Sequence, residues 1–230
     1  MTRTAPTEQL ARAAARQLEG APAADVVAWA FEQFDDEVCV ASSMQDAVLV
    51  HLAATVRPGV PVVFLDTGYH FAETIGTRDA AAAAYPVQLV NVTPARTVAQ
   101  QDAEHGPALH DRDPDLCCAL RKVEPLERGL APYAAWVTGL RRVDAATRAA
   151  LPVVQWDARR GMVKVNPLAA WDDDDVAGYV ERHGVLVNPL LQLGYASIGC
   201  APCTRPVAPG EDARAGRWAG SGKTECGLHT

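Results

Sequence analysis

Apolar residues recur at helical spacing from the start of the chain, at Leu10, Ala14 and Leu18 and again at Val26, Val27, Ala30 and Phe34. Gly20 to Pro22 interrupt them, so the pattern predicts two helices over residues 7–35. The period then changes. Glu37-Val-Cys-Val-Ala-Ser-Ser43 reads as a short buried strand ending in small hydroxyl residues, and Asp46 to Val56 as an apolar helix directly after it. The unit repeats: Val60 to Leu65 is a strand, Asp66-Thr67-Gly68 a turn, Phe71 to Tyr85 a helix. Pro86 to Val92, Ala134 to Leu140 and Leu151 to Trp156 supply further strands, with helical stretches between them that include Cys117 to Leu130.

Strands alternating with helices imply parallel pairing, an α/β fold and a doubly wound, mostly parallel sheet. Ligands of such sheets sit beyond the carboxyl ends of the strands. Three predicted strand ends carry small polar turns, Ser42-Ser43, Asp66-Thr67-Gly68 and Thr138-Gly139, and all three should face one crevice. The acidic run Asp172 to Asp175 precedes an apolar helix; complementing the helix dipole is the plain reading, a metal site the alternative. From Asn188 onward the chain is rich in Pro and Gly and loop-like, so contacts or a metal must organise it. The expected division is N-terminal helices over 1–36, a nucleotide-binding α/β domain over 37–195 and a loop-rich C-terminal tail over 196–230.

At 230 residues the chain suffices for one such domain with a buried core. A net charge of −7 argues against general nucleic-acid binding, which needs a basic surface, but leaves room for a small anionic substrate met by local arginines. No apolar run approaches membrane-spanning length, and Met1 to Gly20 lacks the hydrophobic core of a signal peptide. A cytoplasmic location is expected, without membrane partners. In a reducing compartment six cysteines point to metal binding or catalysis before disulfides.

Four of those cysteines form two tight pairs, Cys117-Cys118 and Cys200-Ala-Pro-Cys203. Adjacent side chains on a helix diverge by roughly 100°, which is awkward for one zinc tetrahedron. A cubane cluster offers four separate iron corners. The spacing therefore favours an iron–sulfur centre, with zinc, a redox dithiol at Cys200 and Cys203, and unlinked thiols as the alternatives. Cys39, inside an apolar strand, reads as an inert core thiol. Cys226 stands near the C-terminus between Lys223 and His229, either a leftover thiol on a frayed end or a nucleophile on a flap whose thiolate His229 and Lys223 would favour. Basic residues gather at Arg121-Lys122, Arg141-Arg142, Arg148, Arg214 and Arg217. Guanidinium groups near a strand-end crevice suit phosphate or sulfate. Ser42-Ser43-Met44-Gln45-Asp46 would add N–H and hydroxyl donors at a helix N-terminus.

Taken in order, Ala41-Ser42-Ser43, Leu65-Asp-Thr-Gly68, Cys117-Cys118-Ala-Leu-Arg-Lys-Val-Glu-Pro-Leu126, Thr138-Gly-Leu-Arg-Arg142, Gly194 to Thr204, Gly216-Arg-Trp218 and Glu225-Cys-Gly-Leu-His229 resemble the assimilatory adenylyl-sulfate and phosphoadenylyl-sulfate reductases, from about Glu37 onward. The resemblance implies an adenine nucleotide alpha hydrolase-like fold and reduction of an adenylyl sulfate to sulfite with release of the nucleotide, in sulfate assimilation and cysteine biosynthesis. It implies Cys226 as nucleophile with His229 beside it, an S-sulfocysteine intermediate, and thioredoxin or a glutaredoxin-like dithiol as external reductant. Cys117, Cys118, Cys200 and Cys203 would hold a [4Fe–4S] cluster, the mark of the branch that uses adenosine 5′-phosphosulfate. Lys122 would link cluster and substrate. Ser42, Ser43, Leu65 and Gly139, with Asp66, Thr67 and Gly68, would line the nucleotide pocket, and Arg142, Arg148, Arg214 and Arg217 would hold phosphate and sulfate. Val143 to Arg148 departs from the family's usual text, and the segment between Trp218 and Lys223 is short. The 3′-phosphorylated substrate, or both nucleotides, is the alternative activity, and a cluster-stabilised nucleotide-binding module without turnover the alternative function. The family also suggests a homo-oligomer.

Overall fold

In the structure, a computed structural model that describes residues 5–219, 223 and 225–229, strand β1 (Val38–Ala41) lies at the centre of a sheet. It pairs in parallel with β2 (Val60–Leu65) on one side and β4 (Ala135–Thr138) on the other. Val38, Cys39 and Val40 are all buried, so both faces of β1 are covered, as a run without polar alternation requires. β3 (Val87–Val92) extends the sheet beyond β2, and β6 (Met162–Val165) extends it beyond β4. β5 (Val154–Asp157) closes that edge, antiparallel to β6, giving the order β3-β2-β1-β4-β6-β5. The chain thus runs outward from β1 to β3 and then crosses back over β1 to β4. That reversal opens a crevice beyond the carboxyl ends of β1 and β4.

Helices cover both faces. α1 (Glu8–Leu18) and α2 (Ala23–Phe34) bury Ala11, Ala14, Leu18, Val26, Ala30 and Phe34 in the same apolar core as β1, β2, β4, β5 and β6. α3 (Val48–Val56) and α4 (Ala72–Ala84) follow β1 and β2, and α5 (Val98–His105) and the single turn α6 (Leu109–Arg112) follow β3. A smaller core of Cys39, Val63, Val92, Leu126, Leu130, Trp136 and Met162 forms on the opposite face, and Leu228 packs onto it. Among the described residues no helix is long and apolar enough to cross a membrane.

Two local departures from the sequence pattern matter, while the acidic run keeps its plain reading as a helix start. The predicted helix over Cys117 to Leu130 is α7 (Pro114–Cys118), a π-helical turn over Ala119–Val123, and α8 (Glu124–Leu130). Pro125 is the reason: it has no N–H, and its ring would press on the carbonyl four residues back. The widened turn, in which Glu124 N–H bonds the Ala119 carbonyl, relieves that clash. β6 was not predicted at all, because Lys164 breaks its apolar run; the lysine is nonetheless only 2% exposed. The acidic run is a cap: Asp172 accepts from Asp175 N–H at 2.9 Å, Asp175 returns the bond at 3.1 Å, and α9 (Asp173–His183) ends at Gly184 with φ +60°.

Candidate active site

A cavity of about 550 Å³ opens at the strand ends. Ser42 and Ser43 wall it at the end of β1, Leu65 and Thr67 at the end of β2, and Thr138 and Gly139 at the end of β4. Lys122, Arg148, Arg214, Arg217, Cys226 and His229 reach the same space from the π turn, the loop after β4 and the C-terminal tail. Asp66, Gly68 and Arg142 do not line it. Asp66 accepts from Gly68 N–H at 3.2 Å and faces Arg78 at 3.5 Å. Gly68, at φ +74°, makes room for Arg121: a Cβ there would fall 2.9 Å from its Nη2. Arg121 in turn donates to the Thr67 carbonyl at 2.5 Å and to Gln101 at 3.1 Å, tying the π turn to the loop after β2. Arg142 points the other way, to Glu19 at the end of α1 at 2.8 Å and to the Leu151 carbonyl at 2.8 Å. Its neighbour Arg141 lines the cavity instead, held by Asp144 at 2.8 Å and Asp173 at 2.9 Å.

The Ser42 loop is not the open donor set its composition suggests. Ser42 N–H is spent on the Val63 carbonyl and its Oγ accepts from Met44 N–H at 3.2 Å. Asp46 accepts from Val48 N–H at 3.0 Å, so α3 starts later than its apolar pattern.

Glu225, Cys226, Leu228 and His229 lie in the crevice. Glu225 pairs with Arg148 at 2.8 Å and with Arg214 at 3.2 Å. Arg160 donates to the Leu228 carbonyl at 3.2 Å, and its guanidinium is paired with Asp157 at 2.8 Å. His229 stacks on Trp136 with ring centroids 5.5 Å apart and planes 11° from parallel. Burial first, then the charges of Lys164, Arg148, Arg160 and Arg214, hold the His229 imidazole well below its ordinary pKa, so it is neutral at pH 7. The electrostatic role read for His229 therefore passes to other groups, and Lys223 pairs with Asp115. Lys122 and Arg217 both lie within electrostatic reach of Cys226, and Lys223 acts on the neighbouring Cys118. Burial works against the Lys122 ammonium, but the sulfurs of Cys200, Cys226 and Cys118 outweigh it and keep its pKa above the ordinary lysine value. Arg217 lies over the Trp218 ring at 4.6 Å and donates to Ser197 Oγ and the Ile198 carbonyl, each at 3.3 Å. Residues 220–222, which make up most of the short segment before Lys223, lie outside the described residues.

Cys117 and Cys118 from α7 and Cys200 and Cys203 from the late loop wall one small cavity, and Lys122 stands between it and the crevice, lining both. The Ala201 N–H bond to the Tyr69 carbonyl at 2.7 Å and the Thr67 Oγ1 contact to Cys200 Sγ at 3.3 Å seat the loop against the turn after β2. Among the described residues no group of three or more His, Cys, Asp or Glu is placed to hold a single metal ion. The thiols surround a space instead. Burial, then the neighbouring sulfurs of Cys118, Cys200 and Cys203, push the Cys117 thiol up to about 12, and burial followed by Cys200 takes Cys203 to about 11. Four thiols so placed repel one another as thiolates, and a cationic centre is what lets all four deprotonate. The donor set suits an iron–sulfur cluster. Cys39 is fully buried in β1, where burial raises its pKa far above the ordinary range.

Sequence reasoning missed Trp136, Arg160 and Lys164, which form the seat of the tail. Nothing in the short run Ala135-Trp136-Val137-Thr138 marks one face as a landing platform.

The phosphoadenosine phosphosulfate reductase domain matches residues 37–206. The chain is 66% identical over 220 residues to adenosine 5′-phosphosulfate reductase of Streptomyces coelicolor, covering 96% of this chain and 93% of that one. It is 59% identical over 221 residues to the protein of that name from Mycolicibacterium smegmatis, covering 96% and 94%. The crystal structure of phosphoadenylyl-sulfate reductase from Candida auris, a phosphate complex, superposes with a TM-score of 0.75 at 27% identity, over 89% of this chain and 100% of that one. With a doubly wound sheet, a strand-end crevice and a domain match over most of its length, the chain belongs to the adenylyl-sulfate and phosphoadenylyl-sulfate reductase family.

Proposed function

We propose that this protein reduces adenosine 5′-phosphosulfate to sulfite and AMP in sulfate assimilation, with Cys226 as nucleophile and an external dithiol as reductant. The observation that carries the reading is the placement of Cys226, Lys122, Arg148, Arg214 and Arg217 around one strand-end crevice. The relatives at 59–66% identity, all named adenosine 5′-phosphosulfate reductases, favour the substrate without the 3′-phosphate. The adenosine lies against Ser42, Ser43, Leu65 and Gly139, and the arginines take the phosphate and sulfate oxygens. The Cys226 thiolate attacks the sulfate sulfur. The bond from that sulfur to the bridging oxygen breaks, its electron pair stays with the phosphate, and AMP leaves a cysteine S-sulfonate. A thiolate of thioredoxin or a similar dithiol then attacks Cys226 Sγ and sulfite departs with the bonding pair. The second thiol resolves the mixed disulfide, returning the Cys226 thiol and supplying two electrons in all. Cys117, Cys118, Cys200 and Cys203 would hold a [4Fe–4S] cluster. When bound, it supplies an electrostatic field beside Lys122.

The test is sulfite release on anaerobically purified protein with thioredoxin, comparing the two nucleotides and Cys226→Ser. The 3′-unphosphorylated nucleotide is expected to be preferred. The variant should lose turnover while keeping AMP binding and the broad visible absorbance of thiolate-bound iron–sulfur. Equal rates with both nucleotides overturn the substrate choice, sulfite from the variant overturns the nucleophile, and a colourless variant makes Cys226 a ligand.

A further inference from the structure

Cys226 is tethered to the crevice through the residue before it. Each oxygen of the Glu225 carboxylate takes one guanidinium, Oε1 from Arg148 at 2.8 Å and Oε2 from Arg214 at 3.2 Å. Both arginines are well covered, with side chains 12% and 19% exposed, and both wall the cavity. A carboxylate bridging two guanidinium groups through separate oxygens uses them as a phosphate or sulfate group would. Asp144, 3.5 Å from Arg148, is already committed to Arg141. Among the described residues Glu225 thus bridges Arg148 and Arg214.

We propose that Glu225 is a positioning residue that competes with substrate: it holds the Cys226 flap down in the ligand-free enzyme by filling the arginine pair, and the substrate's anionic group must displace it. This rests on the reading that Arg148 and Arg214 hold that group. Exchange of one anion for another keeps the arginines paired at every stage, and it frees the flap to move Cys226 once the nucleotide has arrived. The flap's other contacts, Leu228 on the smaller core and His229 on Trp136, do not depend on Glu225, so release at the arginines shifts the flap without detaching it.

Because only the fraction of molecules with the arginines free binds the anion, closure by Glu225 weakens apparent affinity by that fraction. Removing the charge should therefore tighten binding, the reverse of what loss of a supporting residue does. AMP is titrated calorimetrically into anaerobically purified wild type, Glu225→Gln and Arg148→Gln, and alkylation of Cys226 by iodoacetamide is followed by peptide mass spectrometry without ligand. Glu225→Gln is expected to bind AMP roughly tenfold tighter, as befits loss of one competing charged hydrogen-bonded contact. Its Cys226 should alkylate several-fold faster. Arg148→Gln should weaken AMP. Unchanged or weaker AMP binding by Glu225→Gln, with Arg148→Gln impaired, overturns the competition alone. AMP binding unaffected by Arg148→Gln overturns the anion site itself and the inference with it. Unchanged alkylation in Glu225→Gln shows that Glu225 does not hold the flap.

Discussion

Replacing Lys164 by methionine is expected to stabilise the protein at neutral pH, although it deletes a charged residue from the heart of the sheet. Lys164 sits in β6 opposite Trp136, 2% exposed, with Nζ 5.1 Å from the indole centroid. Burial lowers its pKa from 10.5 to about 8, with Asp157 opposing and Arg160 and Arg148 adding to the fall. At about 1.4 kcal/mol for each pH unit, keeping this ammonium charged in the folded state costs about 3 kcal/mol. Methionine keeps the apolar stem and loses the cation–π contact, worth about 1–2 kcal/mol. The net gain is about 1–2 kcal/mol, or about 2–8 °C in melting temperature for a chain of this size. The pH dependence is the sharper test. Between about pH 8 and 10.5 the unfolded chain holds a proton on Lys164 that the folded protein has released, so wild-type stability rises with pH there and the variant lacks that rise. Melting temperatures of both proteins, measured at pH 7 to 10, should converge as pH increases. A variant less stable at pH 7, or a difference constant across the range, refutes the account of Lys164 as a buried, costly cation.

Other perturbations reach the site by different routes. Gly199→Ala would place a Cβ 2.2 Å from Arg217 Nη2, forcing the guanidinium off Ser197 and Ile198; kcat/KM for sulfite release should fall about 10- to 100-fold with little change in melting temperature, as for a misplaced binding group. Wild-type kinetics there would remove Arg217 from the reaction. Stripping iron with a chelator should bleach the visible absorbance and lower the melting temperature together, because Cys200 and Cys203 would join the late loop to α7 through the cluster. Bleaching without loss of stability would show that the loop is held by its hydrogen bonds alone. Cys39→Ser should cost about 1–3 kcal/mol in urea unfolding, since it places a polar hydroxyl in a fully buried, apolar setting, whereas Cys39→Val should cost little.

Much of the fold is legible from local pattern because each element buries its own side chains. The runs around Val38, Val60 and Val87 are strands for that reason, and Thr97, Asp172 and Gly184 mark helix ends through groups within a few residues of them. Legibility failed where a distant partner decided the outcome. β6 was hidden because Lys164 interrupts its apolar run and finds its cover, Trp136, only in the folded sheet, and the widened turn at Ala119–Val123 answers to Pro125. Arg141 and Arg142 are adjacent, yet one faces the crevice and the other Glu19, a choice made by which acids the fold brings up on either side. The four-cysteine motif and the Glu225 to His229 motif can be read as chemistry from residue type and spacing alone. Only the tertiary structure decided that Lys122 stands between the thiols and the crevice, that His229 is neutral, and that Glu225 lies across Arg148 and Arg214. Those properties arise from burial and from charges meeting across tens of residues of chain, and neither exists until the sheet order has folded the strand ends together.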